Sequence, residues 1–303
     1  MSLSAMLLVL LSAVLHAGWN LASKRQRPVA GFFLIASLTS GLLLLPLLYF
    51  KGDPLLSAMT PRAGLLLLAS GLCMALYYGA LGGAYRAGDM SIAYPLARSF
   101  PVLLVLLVSL CLGHGSQLTR LSVGGMVLVV AGSTLVPLRQ FREFSPRRWA
   151  NATCALALLA AVGTAGYSML DDAALRLLRP SADSPAAGIY LATTYFCLEV
   201  LSSALWLAIY IGCQKAERRS LLTVWQNSRG PAALAGLAIG LSYILILLAL
   251  AHARDVSYIV GARQLSIPLG ALLALLLLGE KAHRPKLVGI GIMSAGLIML
   301  AMG

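Results

Sequence analysis

An ordered set of polar and aromatic residues occurs twice in this chain of 303 residues. Tyr77, Asp89, Ser91 and the pair Ala97-Arg98 return as Tyr243, Asp255, Ser257 and Ala262-Arg263, at an offset of 166 that shortens to 165 by the arginine. A second echo sets Ala17-Gly18-Trp19-Asn20 against Ala165-Gly166-Tyr167-Ser168, at an offset of 148. Such a duplication restricts the fold to two equivalent halves that meet around a shared centre.

The solvent of those halves follows from composition. Hydrophobic residues make up 59% of the chain and charged ones 11%, whereas soluble domains carry about a quarter charged residues. Too little polar surface is available to face water, so an all-α integral membrane protein is expected. A helix crosses the hydrocarbon core in about 20 residues. Breaks at charged, Pro and Gly-rich turns divide the chain into ten such runs, at 3–22, 29–50, 64–86, 91–112, 121–138, 150–170, 187–213, 232–252, 257–279 and 285–302. The first run lacks a basic leader and carries His16, Trp19 and Asn20 where a cleavage site needs small residues, so it reads as a retained span.

Five spans per half is an odd number, so the second half enters the membrane from the side opposite to the first. The expectation is therefore ten transmembrane helices as two inverted-topology five-helix repeats. The repeats occupy 1–138 and 150–303 and form one membrane domain joined by loop 139–149. Loops that follow odd-numbered spans hold 15 Lys and Arg and the others hold 6. The positive-inside rule then predicts a multi-pass protein of the cell (inner or plasma) membrane with both termini non-cytoplasmic.

Several classes are disfavoured. The net charge of +13 is dispersed over short loops, which fits orientation in a lipid bilayer and gives no reason to expect nucleic acid as a partner. Five single cysteines and the scattered His16, His114, His252 and His283 have no ligand spacing, so neither a metal nor a cofactor is expected. No converging nucleophile or acid-base pair points to an enzyme. No Gly-x-x-x-x-Gly-Lys-Ser/Thr loop points to an ATP-driven pump.

Ionisable and polar groups inside apolar runs are costly and mark candidate sites. Arg98 lies in Tyr94-Pro95-Leu96-Ala97-Arg98-Ser99-Phe100-Pro101, where two prolines predict a broken or kinked helix. Arg263, followed by Gln264 and Pro268, is its counterpart; snorkelling to headgroups is the alternative for each arginine. His16, Trp19, Asn20 and Lys24 follow one helical face. In the second half Tyr167, Ser168, Asp171 and Asp172 repeat that arrangement, with Asp172 standing where Lys24 stands in the first. Asp171 and Asp172 also fit the start of a solvated loop, or a gate paired with Arg263. Glu199 stands near the middle of its span, where a carboxyl is a candidate carrier of a coupling proton. Tyr77, Tyr94, Tyr195 and Tyr243 supply aromatic walls, Tyr77 and Tyr243 being equivalent in the repeat.

The paired Gly-aromatic elements, the five-plus-five arrangement, and Gly279-Glu280 followed by Gly289, Gly291 and Gly296 resemble the drug/metabolite transporter superfamily, and within it the EamA-type transporters. The first half departs from the pattern, having Gly113-His114 where the second has Gly279-Glu280. No acidic residue stands in the first span, unlike the four-helix multidrug exporters of the same superfamily. The resemblance implies a secondary carrier of small metabolites, more often an exporter, working by alternating access. Arginines suit a carboxylate-bearing substrate such as an amino acid. An organic cation caged by tyrosines against Glu199 is the alternative. A channel remains a further class.

Overall fold

The computed structural model describes residues 3–23, 29–49, 54–87, 90–113, 115, 118–143, 151–277 and 281–303, with side chains except at 19–23, 54, 90–95, 274 and 277. Every regular element is helical, and no strand occurs among the described residues. In chain order these are α1 (Leu3–Ser23), α2 (Ala30–Leu44, continued by a 3-10 turn Leu45–Tyr49), a short α3 (Pro54–Ala58), α4 (Pro61–Ala87), α5 (Met90–Cys111) and α6 (Arg120–Leu135). There follow α7 (Ala152–Leu178), α8 (Pro185–Cys213), α9 (Lys215–Asn227), α10 (Arg229–Leu250), α11 (Val256–Ala262), α12 (Ser266–Leu277) and α13 (Arg284–Met302).

Polar residues define where several of these helices begin. The side chains of Thr119, Asn151 and Ser184 accept from the backbone N–H groups of Ser122, Cys154 and Ala187, satisfying donors that a helix start leaves unpaired. Seven helices are long and apolar enough to cross a membrane, at Ala30–Tyr49, Pro61–Ala87, Ala152–Ser181, Pro185–Cys213, Arg229–Leu250, Val256–Leu273 and Arg284–Met302. Shorter apolar stretches are Leu3–Gly18, Leu96–Cys111 and Arg120–Leu135. Leucines such as Leu7, Leu65, Leu234 and Leu276 point outward, as they do where lipid is the solvent. The chain is a multi-pass membrane protein.

The principal packings form exchangeable pairs. α4 lies along α7 as α1 lies along α10; α4 meets α8 as α2 meets α10; α5 meets α7 as α1 meets α12. Two contacts map onto themselves, α2 with α8 and α6 with α13. The α6–α13 contact is backbone to backbone. Gly125 and Gly132 face Gly296 and Gly289, each pair seven residues or about two turns apart. A Cβ on Gly132 would lie 2.7 Å from the Gly289 carbonyl oxygen, and one on Gly296 would lie 2.6 Å from that of Gly125. In lipid, where apolar surface gains little by association, such close approach supplies the van der Waals energy that holds helices together. Gly291 faces open space.

Two local expectations are corrected, and one connection proves to hold a helix. The run expected to end at 170 continues as helix to Leu178, carrying Asp171 and Asp172 into the bundle rather than into a loop. The long connection 214–230 contains the amphipathic helix α9, anchored by Glu217, which is buried and ion-paired with Arg86 at the end of α4. Finally, α5 stays helical through Pro95 and Pro101, whereas the equivalent segment around Arg263 is interrupted.

Candidate functional site

Pro268 accounts for that interruption. It has no N–H to bond the carbonyl of Gln264, and the chain tightens into a 3-10 turn, Arg263–Leu265, between α11 and α12. The turn is held from across the bundle. Arg98 donates Nη2 to Ser266 Oγ at 2.7 Å and, at 3.5 Å, to the Arg263 carbonyl, which also receives the Ser266 hydroxyl at 3.0 Å. Arg98 is buried and its Nε has no hydrogen-bond partner among the described residues. Gln264 donates Nε2 to the Val260 carbonyl at 3.0 Å and leaves its Oε1 unpartnered in the same sense.

Freed from regular helix, Arg263 projects onto aromatic rings. Its guanidinium carbon lies 5.1 Å from the Tyr243 ring centroid and 5.8 Å from that of Tyr167. Its nitrogens reach the Tyr167 hydroxyl at 3.3 Å and Ser168 Oγ at 3.4 Å. Tyr77, Tyr167 and Tyr243 form an edge-on series, with centroids 6.1 and 5.5 Å apart, the geometry in which ring edges meet ring faces favourably. A cation over two such faces is attracted by both quadrupoles. Tyr167 and Tyr243 are buried, while Tyr77 and Arg263 keep accessible edges. His16 on α1, also partly accessible, lies within electrostatic range of Arg98 and Arg263.

Behind this aromatic wall lies a carboxyl cluster. Asp171 on α7 and Glu199 at the centre of α8 have no exposed surface. Asp171 receives the hydroxyls of Ser70 and Tyr243, and that of Tyr195 at 2.9 Å. Ser70 Oγ also contacts Glu199 Oε1 at 3.1 Å.

The structure thus gathers Tyr77, Tyr167, Tyr195, Glu199, Tyr243, Arg263 and Asp171, with Arg98, Gln264 and His16 around the broken helix. The expected pairing of Asp172 with Arg263 is not formed. Asp172 accepts from Arg176 Nε at 2.8 Å, one turn along its own helix, and Tyr243 stands between Asp171 and Arg263. An i,i+4 partner was available to Asp172 in sequence, so the nearer cation takes it. Lys24, His114 and Glu280 lie outside the described residues, as do the side chains of Trp19, Asn20 and Tyr94. Sequence reasoning did not select Ser70 or Ser266. Ser70 carried one signal, standing seven residues before Tyr77 and therefore on its helical face.

The arrangement is a polar centre walled by apolar helices. Residues 3–138 match the model of the EamA-like transporter family, a family that transports rather than catalyses. No curated protein matches the sequence. Among solved structures, a crystal structure of a protein shares the fold, with a TM-score of 0.65 at 15% identity over 99% of this chain and 98% of that one.

Proposed function

We propose that this protein is a secondary active carrier of a small polar metabolite bearing an anionic group, most simply an amino acid or related zwitterion, moved by alternating access and exported. The carrying observation is Arg263. Its guanidinium is held by neutral hydroxyls and ring faces, and among the described residues no carboxylate forms an ion pair with it. A cation so held keeps its charge for an incoming carboxylate, which its planar fork can bind through two parallel hydrogen bonds. His16, Tyr77 and Arg263 are the cluster members with accessible edges, and they offer the first contacts.

The scaffold of this reading is ten spans in two inverted five-helix repeats, 1–138 and 150–303, with termini outside the cytoplasm. Contacts that are preserved when the halves are exchanged support it, as does a family match that ends at Leu138. The Arg86–Glu217 ion pair joins the loops after the third and seventh spans, which that topology puts on one side. The organic-cation alternative needs Glu199 at the cavity wall, and Glu199 is wholly enclosed.

Counterflow in proteoliposomes tests the reading. Radiolabelled amino acids trapped against excess unlabelled amino acid should exchange saturably, and tetraalkylammonium ions should not compete. Competition by tetraalkylammonium without amino acid exchange would reject the proposal in favour of the cation carrier, and unsaturable flux would favour a channel.

A further inference from the structure

We propose that Ser70, Asp171 and Glu199 form a buried proton relay in which Glu199 holds the proton, Asp171 holds the charge and the Ser70 hydroxyl connects them. Its use in driving transport rests on the carrier reading above; the relay itself stands on hydrogen-bond geometry.

The three side chains come from α4, α7 and α8 and meet without exposed surface. Asp171 has three hydroxyl neighbours, Ser70 and Tyr195 at Oδ1 and Tyr243 at Oδ2. A carboxylate accepts hydrogen bonds and cannot donate them, so three donors turned onto Asp171 describe its ionised form. Ser70 has one proton, yet its oxygen lies in hydrogen-bond range of both carboxyls, and closer to Asp171. With that proton committed to Asp171, the 3.1 Å contact to Glu199 is a hydrogen bond only if Glu199 donates through a protonated Oε1. The remaining oxygen agrees. Glu199 Oε2 has no hydrogen-bond partner among the described residues, a tolerable state for the carbonyl oxygen of a neutral acid and a costly one for a buried charge. Two adjacent carboxylates cannot both stay ionised so far from water, and one proton between them removes the repulsion.

The transfer balances without a co-reactant. The Glu199 O–H bond breaks as Ser70 Oγ takes that proton, and the Ser70 O–H bond breaks as Asp171 takes the other. Serine is regenerated, the charge passes to Glu199, and Asp171 no longer needs the Tyr243 hydroxyl. Tyr243 lies under Arg263, so the relay ends at the ring that holds the substrate-facing cation. The other titratable groups facing the trio are Cys73 and Tyr78 from α4, Tyr195 from α8 and Tyr243 from α10, with Arg263 supplying positive charge.

Infrared spectroscopy of the full-length protein in lipid reads the proton directly, because a neutral carboxylic acid has a carbonyl stretch absent from a carboxylate. At neutral pH the wild type should show such a band, sensitive to deuterium. Glu199→Gln should remove it, Asp171→Asn should retain it at shifted frequency, and Asp183→Asn, in an exposed turn, should leave it unchanged. Ser70→Ala should shift the band and slow pH-gradient-driven uptake of a radiolabelled amino acid mixture, relative to counterflow, on the order of a hundredfold. Should Glu199→Gln fail to fold, Glu199→Asp should move the band instead of removing it. A wild type without the band, a band that survives Glu199→Gln, or a Ser70→Ala protein that moves neither band nor pH-driven uptake would overturn the relay. Absence of amino acid counterflow with the band behaving as expected would reject the substrate reading and leave the relay standing.

Discussion

Arg98 and Arg263 occupy matching places in a residue pattern that recurs along the chain, and the two segments use them differently. In α5 the proline after the arginine is Pro101, whose missing N–H deprives the carbonyl of Ala97, one residue before Arg98. In the second copy it is Pro268, which deprives Gln264, one residue after Arg263. α5 remains one helix; the second copy divides into α11, a 3-10 turn and α12. Arg98 consequently serves as a brace on the Ser266 hydroxyl and the Arg263 carbonyl, while Arg263 faces the tyrosines. A proline shifted by two residues relative to the arginine is enough to give the two matched segments unequal roles.

The contrast breaks most sharply at the arginine facing the rings. Arg263→Ala should weaken amino acid binding about a hundredfold, corresponding to removal of one partner of an enclosed charge pair. Arg263→Lys, which keeps the charge but loses the fork, should cost about tenfold in the same titration. Pro268→Ala restores a donor for the Gln264 carbonyl, so the second copy should come to resemble the first. Its signature is slowed amide hydrogen exchange across 264–268 and a gain in unfolding free energy of about 1–3 kcal/mol, with impaired transport. Ser266→Ala takes away the acceptor of a buried guanidinium and should cost about 1–3 kcal/mol in denaturant unfolding. The smallest effect belongs to Arg176→Ala. Its half-exposed ion pair with Asp172 should contribute less than about 1 kcal/mol, and substrate affinity should not change.

Much of this was legible in sequence because bilayer thickness fixes helix length and a recurring residue pattern marks matching positions. Each expected run overlaps a described helix, and Tyr77, Tyr167, Tyr243 and Arg263 lie together in the bundle. The carboxylates were harder. Asp171 and Asp172 are adjacent and chemically identical, yet one is enclosed by hydroxyls from three other helices and the other takes a cation one turn away. Periodicity reports which residues share a face of one helix, not what other helices bring to it, so a buried aspartate read as the start of a loop. Ser70 was illegible for the same reason: a lone serine in an apolar run has meaning only through Asp171 and Glu199, more than a hundred residues away in sequence.

Ligand-dependent thermal unfolding of the purified wild type and Arg263→Ala proteins tests the central claim most directly, because a ligand stabilises the state that binds it. Amino acids should raise the unfolding midpoint of the wild type in a concentration-dependent way and leave that of Arg263→Ala unmoved, with tetraalkylammonium ions inert towards both. Stabilisation of both proteins by tetraalkylammonium, with amino acids inert, would contradict the account that Arg263 receives the anionic group of the substrate.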